Sequence, residues 1–435
     1  MIRFILADLR RLWAGAVVVV LLVALATALG VTVTLQERAL RLGSARAADK
    51  FDLVIGAAGS ETQLVLSSIF LQPAPLPLMP GEVLAKLSKD PRVAWVAPVG
   101  FGDSFAGYPL VGTTRALIGS TVSGFASGRM FEKEGEAVVG AAVKLPVGAE
   151  IKPMHGTAAM GGETHAGVVY HVTGKLPPTG TPWDRAILVP IQAVWHVHGL
   201  GHDHEHEHEH EEQEHYEGGA AQVTQAAAAA DEHADEDHDH HGSIDADAAI
   251  DEIFAADAPG LPAVLVKPKT IADAYKLRQE YRNGNTLAVF PGEVLTSLYA
   301  TLGDAKMVLS AVAAGSQGLV AAALVLVTIT HIGQRRRQIG ALRAFGAPRL
   351  SVFAIVWFEL FLLVALGIGL GFLTGLAAAR LIANAFTAKS GIILPVGFTG
   401  EDWRMVLILL AASAVLSAVP AILAYRQSPA AALRA

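Results

Sequence analysis

Cysteine is absent from the 435 residues. Disulfides, thiolate metal sites and cysteine nucleophiles are thereby excluded, and any part of the chain in an oxidising compartment holds together by packing alone. Charge is scarce as well: Asp, Glu, Lys and Arg make up 17% of residues against 52% hydrophobic ones, and the mean hydropathy is +0.43. That balance excludes an ordinary soluble enzyme and indicates membrane residence. The sequence has no G-x-x-x-x-G-K-[ST] phosphate loop, no G-x-S-x-G elbow, and no H-E-x-x-H pair on a helix outside a histidine repeat. Nucleotide hydrolysis by that loop is excluded, and no catalytic constellation replaces it, so the chain reads as non-enzymatic. Basic residues are missing from 202–241, which holds 14 of the 40 acidic residues. Without that segment the formal charge of −7 becomes +7, which describes a mildly basic protein carrying one acidic insert.

What the chain has in quantity is long apolar runs. Leu12 to Val33 contains no charge, and as a helix it reaches about 33 Å, enough for a hydrocarbon core of about 30 Å. It runs on into Gln36-Glu37-Arg38 without a cleavage signal, which favours an uncleaved anchor. The other spans are 307–332, 350–379 and 405–425. Within them Glu359 is the one firm ionisable group at membrane depth, read as an interfacial residue. Arg3, Arg10 and Arg11 precede the first span, Arg335–Arg337, Arg343 and Arg349 separate the second and third, and Arg426 and Arg434 follow the fourth. Retention of basic residues inside puts both termini in the cytoplasm.

The expected layout is a membrane protein of four transmembrane α-helices with a large α+β extracytoplasmic domain between helices 1 and 2. In order, it comprises a cytoplasmic N-terminus 1–11, helix 1 at 12–35, the outer domain at 36–304, helix 2 at 307–332, a cytoplasmic helix at 333–349, helix 3 at 350–379, an outer loop at 380–404, helix 4 at 405–425 and a cytoplasmic tail 426–435. Within the outer domain, short β-branched runs begin at Phe51, Val93, Ala137, Gly167 and Ala186, while Pro80–Lys89 and Thr270–Tyr281 have helical spacing. Thr270 with Asp273 forms a capping box, and 291–306 reads as a helical stalk. Gly367, Gly371 and Gly375 repeat every fourth residue, a smooth stripe for close packing on another helix, with a contact across a dimer as one form of it. His155, His165 and His171 could approach one another, although scattered surface histidines are the expected account.

Between the second and third spans, Ile339, Leu342 and Phe345 recur on one face of a short helix that opens with Arg335, Arg336 and Arg337 and ends at Gly346. Alone it reads equally as a basic helix on lipid headgroups. The run from Arg336 to Ala347, RRQIGALRAFGA, resembles the R-R-x-E-I-G-x-L-R-A-x-G-A pattern of FtsX-like/MacB-like ABC permeases, the type VII or mechanotransmission class. The tail from Ala424 to Arg434 resembles that family's R-x-x-x-P-x-x-A-L-R ending, and Asp52 to Ser60, DLVIGAAGS, suggests stand-alone permease subunits. Gln338 stands where the family often has Glu, and no fused ATPase domain accompanies the motif.

The resemblance implies a coupling helix in which Arg335, Arg336, Arg337, Gln338, Ile339, Gly340, Leu342, Arg343, Phe345 and Gly346 dock on a separate ABC ATPase that binds ATP. It implies a second copy of this chain, a partner protein in the periplasm or outer membrane, and movement of the outer domain without substrate crossing the bilayer. The expected location is the bacterial inner membrane, multi-pass, with the large domain in the periplasm and no nucleic-acid partner. Other classes compatible with the sequence are a regulator of a cell-wall hydrolase and a metal-binding receptor or importer.

Twelve of the 16 histidines lie in the insert 196–242: His196, His198, His202, His204, His206, His208, His210, His215, His233, His238, His240 and His241. Alternating His and acid leaves neither face apolar, so a solvated, disordered loop is expected. Imidazole and carboxylate suit Zn²⁺, Ni²⁺ or Cu²⁺, so the chain has no intrinsic cofactor but a candidate zinc-binding loop. An inert acidic spacer, an adventitious chelator and selected metal handling all remain open on the sequence.

Overall fold

The structure, a computed structural model, describes residues 13–72, 74–156, 164, 165, 167–200, 243–301, isolated positions from 307 to 322, and 348–425. The chain divides into two compact units. One comprises Met1–Asp52, Gly180–Trp183 and Val289–Ala435, and the other Leu53–Thr179 and Asp184–Ala288. The expected second span at 307–332, the 333–349 helix and the 426–435 tail lie wholly or mostly outside the described residues.

In the first unit, three helices are long and apolar enough to cross a membrane: α1 (Trp13–Ala48), and two further along the chain beginning at Arg349 and Gly400. The helix count among the described residues is thus three where four are expected. α1 covers the expected span from Trp13 onward and continues 13 residues beyond its expected end at 35, because nothing between Gln36 and Ala48 breaks a helix. Residues 291–301 are helical too, and Tyr299 hydrogen-bonds to Ser44 and donates to the Leu40 carbonyl at 3.3 Å. Residues 36–48 and 291–301 thus sit with the membrane helices, and the soluble unit is narrower than the expected 36–304.

Two further helices complete the first unit, numbered in chain order as α7 (Arg349–Ser390) and α8 (Gly400–Tyr425). α7 runs 11 residues past the expected end of its span, because the stop is set by Gly391 rather than by the end of the apolar run. Gly391 takes φ 77°, the left-handed conformation that closes a helix, and donates to the Thr387 carbonyl at 2.8 Å. The expected outer loop 380–404 accordingly shortens to 391–399. α8 opens with a capping box, in which Asp402 accepts from the Thr399 N–H at 2.6 Å.

The second unit is built on an 11-stranded mixed sheet. Its strands are β1 (Leu53–Ala57), β2 (Val93–Phe105), β3 (Tyr108–Thr113), β4 (Ser127–Gly128), β5 (Glu136–Val139), β6 (Glu150–Ile151), β7 (Met154–His155), β8 (Tyr170–Lys175), β9 (Ile187–Pro190), β10 (Ala263–Pro268) and β11 (Thr286–Val289). The order is β11-β1-β10-β2-β3-β9-β5-β8-β4, with β6 on β8 and β7 on β2. All five expected strand runs are present. β3, β4, β6, β7, β10 and β11 lie outside those runs, although Ala263-Val-Leu-Val is fully buried, as a central strand requires. The helices are α2 (Glu61–Ser68), α3 (Glu82–Ser88), α4 (Arg115–Thr121), α5 (Ile191–Val197) and α6 (Ile271–Glu280). Thr270 caps α6 as expected, accepting from Asp273 N at 3.1 Å and donating to its carboxylate at 2.7 Å. Beneath β5, β8, β9 and α5 lies a core that includes Leu110, Ile151, Tyr170, Val172 and Val194.

Candidate functional site

Three groups of residues bear on function. The first is the glycine stripe of α7, which packs on α1 of the same chain. A Cβ on Gly367 would stand 2.6 Å from Val23 Cβ, one on Gly371 2.5 Å from Thr27 Cβ, and one on Gly375 2.9 Å from the Ala28 carbonyl. Thr32 donates to the Gly375 carbonyl at 3.2 Å. Three absent side chains let the two backbones approach as only small residues allow. Near the other end of α1, Arg38 makes a two-pronged ion pair with Asp402, at 2.7 and 3.0 Å, with both side chains largely buried. No pattern in the sequence announces this pair, whose members are 364 residues apart. Trp357 of α7 donates to the Ala414 carbonyl of α8 at 2.8 Å, and Glu359 is half-buried on α7.

The second group is the expected coupling helix. Arg335, Arg336, Arg337, Gln338, Ile339, Gly340, Leu342, Arg343, Phe345 and Gly346 all lie outside the described residues.

The third group is histidine. His202 to His241 of the insert lie outside the described residues, whereas His196 and His198, at the end of α5, are described. The two diverge: His196 Nδ1 stands 3.0 Å from the buried Glu134 carboxylate, and His198 Nε2 stands 3.5 Å from Asp103 Oδ1. Two further histidines meet the same oxygen of Asp103, His155 Nδ1 at 3.5 Å and His165 Nε2 at 3.3 Å. Ligand atoms of Asp103, His155 and His198 lie within 4.8 Å of one another. His155 and His165 therefore converge, contrary to the expectation of scattered surface histidines. His171 does not join them. It is exposed on β8, opposite Glu136 and Glu150.

Local structure explains the convergence. Asp103 sits where the β2–β3 pairing shifts register, and it pairs with His155 across β2 and β7. The chain around β7 is pinned by Gly156 N–H to the Gly102 carbonyl at 2.7 Å and by Ser104 Oγ to the Gly156 carbonyl at 2.6 Å. His165 N–H donates to the Pro153 carbonyl at 3.0 Å, returning its ring to the same place. His198 ends α5, whose apolar face is in the core, and its ring passes 3.4 Å from the position a Cβ on Gly102 would take. Behind the cluster Tyr170 is fully buried; burial first, then the Asp103 and Glu134 carboxylates, push its phenol up, so it remains neutral. Asp103 has no sequence signal at all, since a single carboxylate in a strand matches no motif.

Residues 310–430 match the family model of the FtsX-like permease C-terminal domain. The expected family resemblance is borne out over that stretch, which contains the RRQIGALRAFGA run, α7 and α8. No curated protein matches the chain. Among solved structures, the extracellular domain of the noncanonic ABC-type transporter YknZ from Gram-positive bacteria aligns with a TM-score of 0.28 and 10% identity. That alignment covers 55% of this chain and 98% of the other.

Proposed function

We propose, from the FtsX-like permease C-terminal domain that residues 310–430 carry, that this chain is the membrane subunit of an ABC transporter whose ATP hydrolysis occurs in a separate partner chain. The observation that carries this reading is the family match itself, which encloses the RRQIGALRAFGA run at 336–347. The absence of a phosphate loop from the sequence agrees with a subunit that transmits work without hydrolysing ATP. In this reading 335–346 is the coupling helix, and two such chains work with two ATPases in a bacterial inner membrane. ATPase closure moves the sheet domain in the periplasm, driving efflux or lipoprotein and envelope transport. The insert 196–242 presents imidazole and carboxylate groups to divalent metal outside, which ties the transporter to zinc homeostasis.

Leu342→Asp tests the coupling assignment, since it puts a charge on the apolar face of the helix. Membrane insertion should be unaffected, while co-purification of the ATPase and stimulation of its turnover should be lost. Undiminished co-purification and stimulation would refute the assignment.

A further inference from the structure

We propose that Asp103, His155, His165 and His198 form a closed, four-ligand Zn²⁺ site in the sheet domain, distinct from the histidines of 202–241 and independent of the permease reading. The separations are long for a charge-assisted hydrogen-bonded cluster, with His165 Nε2 the one nitrogen within hydrogen-bond range of Asp103 Oδ1. A carboxylate accepting from imidazole N–H groups draws them to about 2.7–2.9 Å when the bond is charge-assisted. Here the three nitrogens stand at 3.3, 3.5 and 3.5 Å from Asp103 Oδ1. In a tetrahedral zinc site with bonds of 2.0–2.1 Å, the ligand-to-ligand edge is about 3.3–3.4 Å, which matches the three edges that meet at Asp103 Oδ1; the nitrogen-to-nitrogen edges close as the ion binds. The carboxylate is also used one-sidedly. All three imidazoles gather at Oδ1, while Oδ2 is buried with no hydrogen-bond partner. Hydrogen bonding would use both oxygens, whereas a monodentate metal ligand uses one.

The rings agree with this assignment. Their centroids are 5.4, 5.8 and 6.1 Å apart, and the rings cross at 68–89°, so they converge by their edges without stacking. Tetrahedral ligation at zinc bond lengths brings such centroids to about 5.2 Å; ligand atoms of Asp103, His155 and His198 already lie within 4.8 Å of one another, and the His165 ring turns in to complete the set. Asp103 and His165 side chains are 2% exposed, while that of His155 is 60% exposed. Three sides of the site are thus built into the domain, and the His155 side admits the ion. Neutral imidazole with one carboxylate is the donor set of a borderline divalent cation, and four protein ligands leave no open coordination position. The ion would be held as a clasp, not as a catalyst. It would join β2, β7, the return at His165 and the last turn of α5, where the chain departs into the insert.

The test is titration of full-length protein in detergent, stripped by chelator, with Zn²⁺ alone against a competing chelator. A second protein carries a Gly/Ser linker in place of 202–241. The linker protein should retain one tight equivalent per chain and lose the weaker ones. Its zinc-edge X-ray absorption should show four N/O neighbours at about 2.0–2.1 Å. His155→Gln changes an exposed side chain and should weaken the tight equivalent by more than about a hundredfold, beyond what loss of a supporting second-layer contact costs. In the full-length protein the same substitution should remove the tightest equivalent and spare the rest. The proposal is overturned if a linker protein with the parent's circular dichroism and thermal midpoint holds no tight zinc. It is equally overturned if His155→Gln leaves the tightest equivalent unchanged in the full-length chain.

Discussion

Arg38 and Asp402 show how much one pair of residues can carry. Each is largely buried, so removing one partner strands the other's charge in a poorly solvated place, a change that costs about 3 kcal/mol or more. Arg38→Met should therefore lower the thermal midpoint in detergent sharply. Arg38→Met with Asp402→Asn should recover much of the loss, because Asn leaves no stranded charge and still accepts from Thr399; equal losses in the two proteins would sink this account. In the sheet domain, burial alone would raise the Glu136 carboxyl, but Arg129, at 3.0 Å, and the N–H groups of Glu132 and Lys133 hold it below the ordinary range. A lowered folded value means this group stabilises the fold above its unfolded pKa of about 4.3, and that stabilisation is lost as pH falls through the folded value. Glu136→Gln should thus flatten the acid limb of the stability curve by at most about 1.4 kcal/mol per pH unit, read from unfolding midpoints between pH 5 and 3. A parallel acid limb would exclude the role.

At the scale of elements, α7 is legible in the sequence as an apolar run with glycine every fourth residue, but the identity of its partner is not. Repetition tells which face is smooth; only the packed structure supplies α1 as the surface that fills it. The contrast between Gly371 and Gly369 makes this testable. A Cβ on Gly371 would meet the Ala24 carbonyl at 2.7 Å, while one on Gly369 meets nothing within 4 Å. Gly371→Leu should force α1 and α7 apart and destabilise the membrane unit by about 1–3 kcal/mol or more, as overpacking does. Gly369→Leu, on the same helix with the same change in composition, should be tolerated. Comparable melting of the two variants would show that the stripe does not carry the helix contact. Helix ends follow the same division: the capping box at Thr270 is readable because its partners are three residues apart, whereas the extent of α1 past its apolar run is not.

For the whole molecule, the insert is the feature whose removal should matter least to the fold. Its outgoing root is tied by His196 to Glu134 at 3.0 Å, and its returning root by Gly135 to Ala246 and Glu134 to Ala248 at 3.2 and 3.0 Å. Replacing 202–241 by a short Gly/Ser linker should therefore leave the thermal midpoint unchanged, since alternating His and acid has no apolar face to add to a core. A large drop in midpoint would show that the insert packs. Membrane character, the apolar spans, the acidic insert and the FtsX-like stretch at 336–347 were all determined by the sequence alone. Each is written in local composition or in residues a few positions apart, where periodicity and spacing suffice. The Arg38–Asp402 pair, the α1–α7 contact and the meeting of His155, His165 and His198 on Asp103 were decided only by the tertiary structure. Their members come from segments separated by tens to hundreds of residues, and no local pattern records which strand edge, register shift or helix end will bring distant side chains to one point.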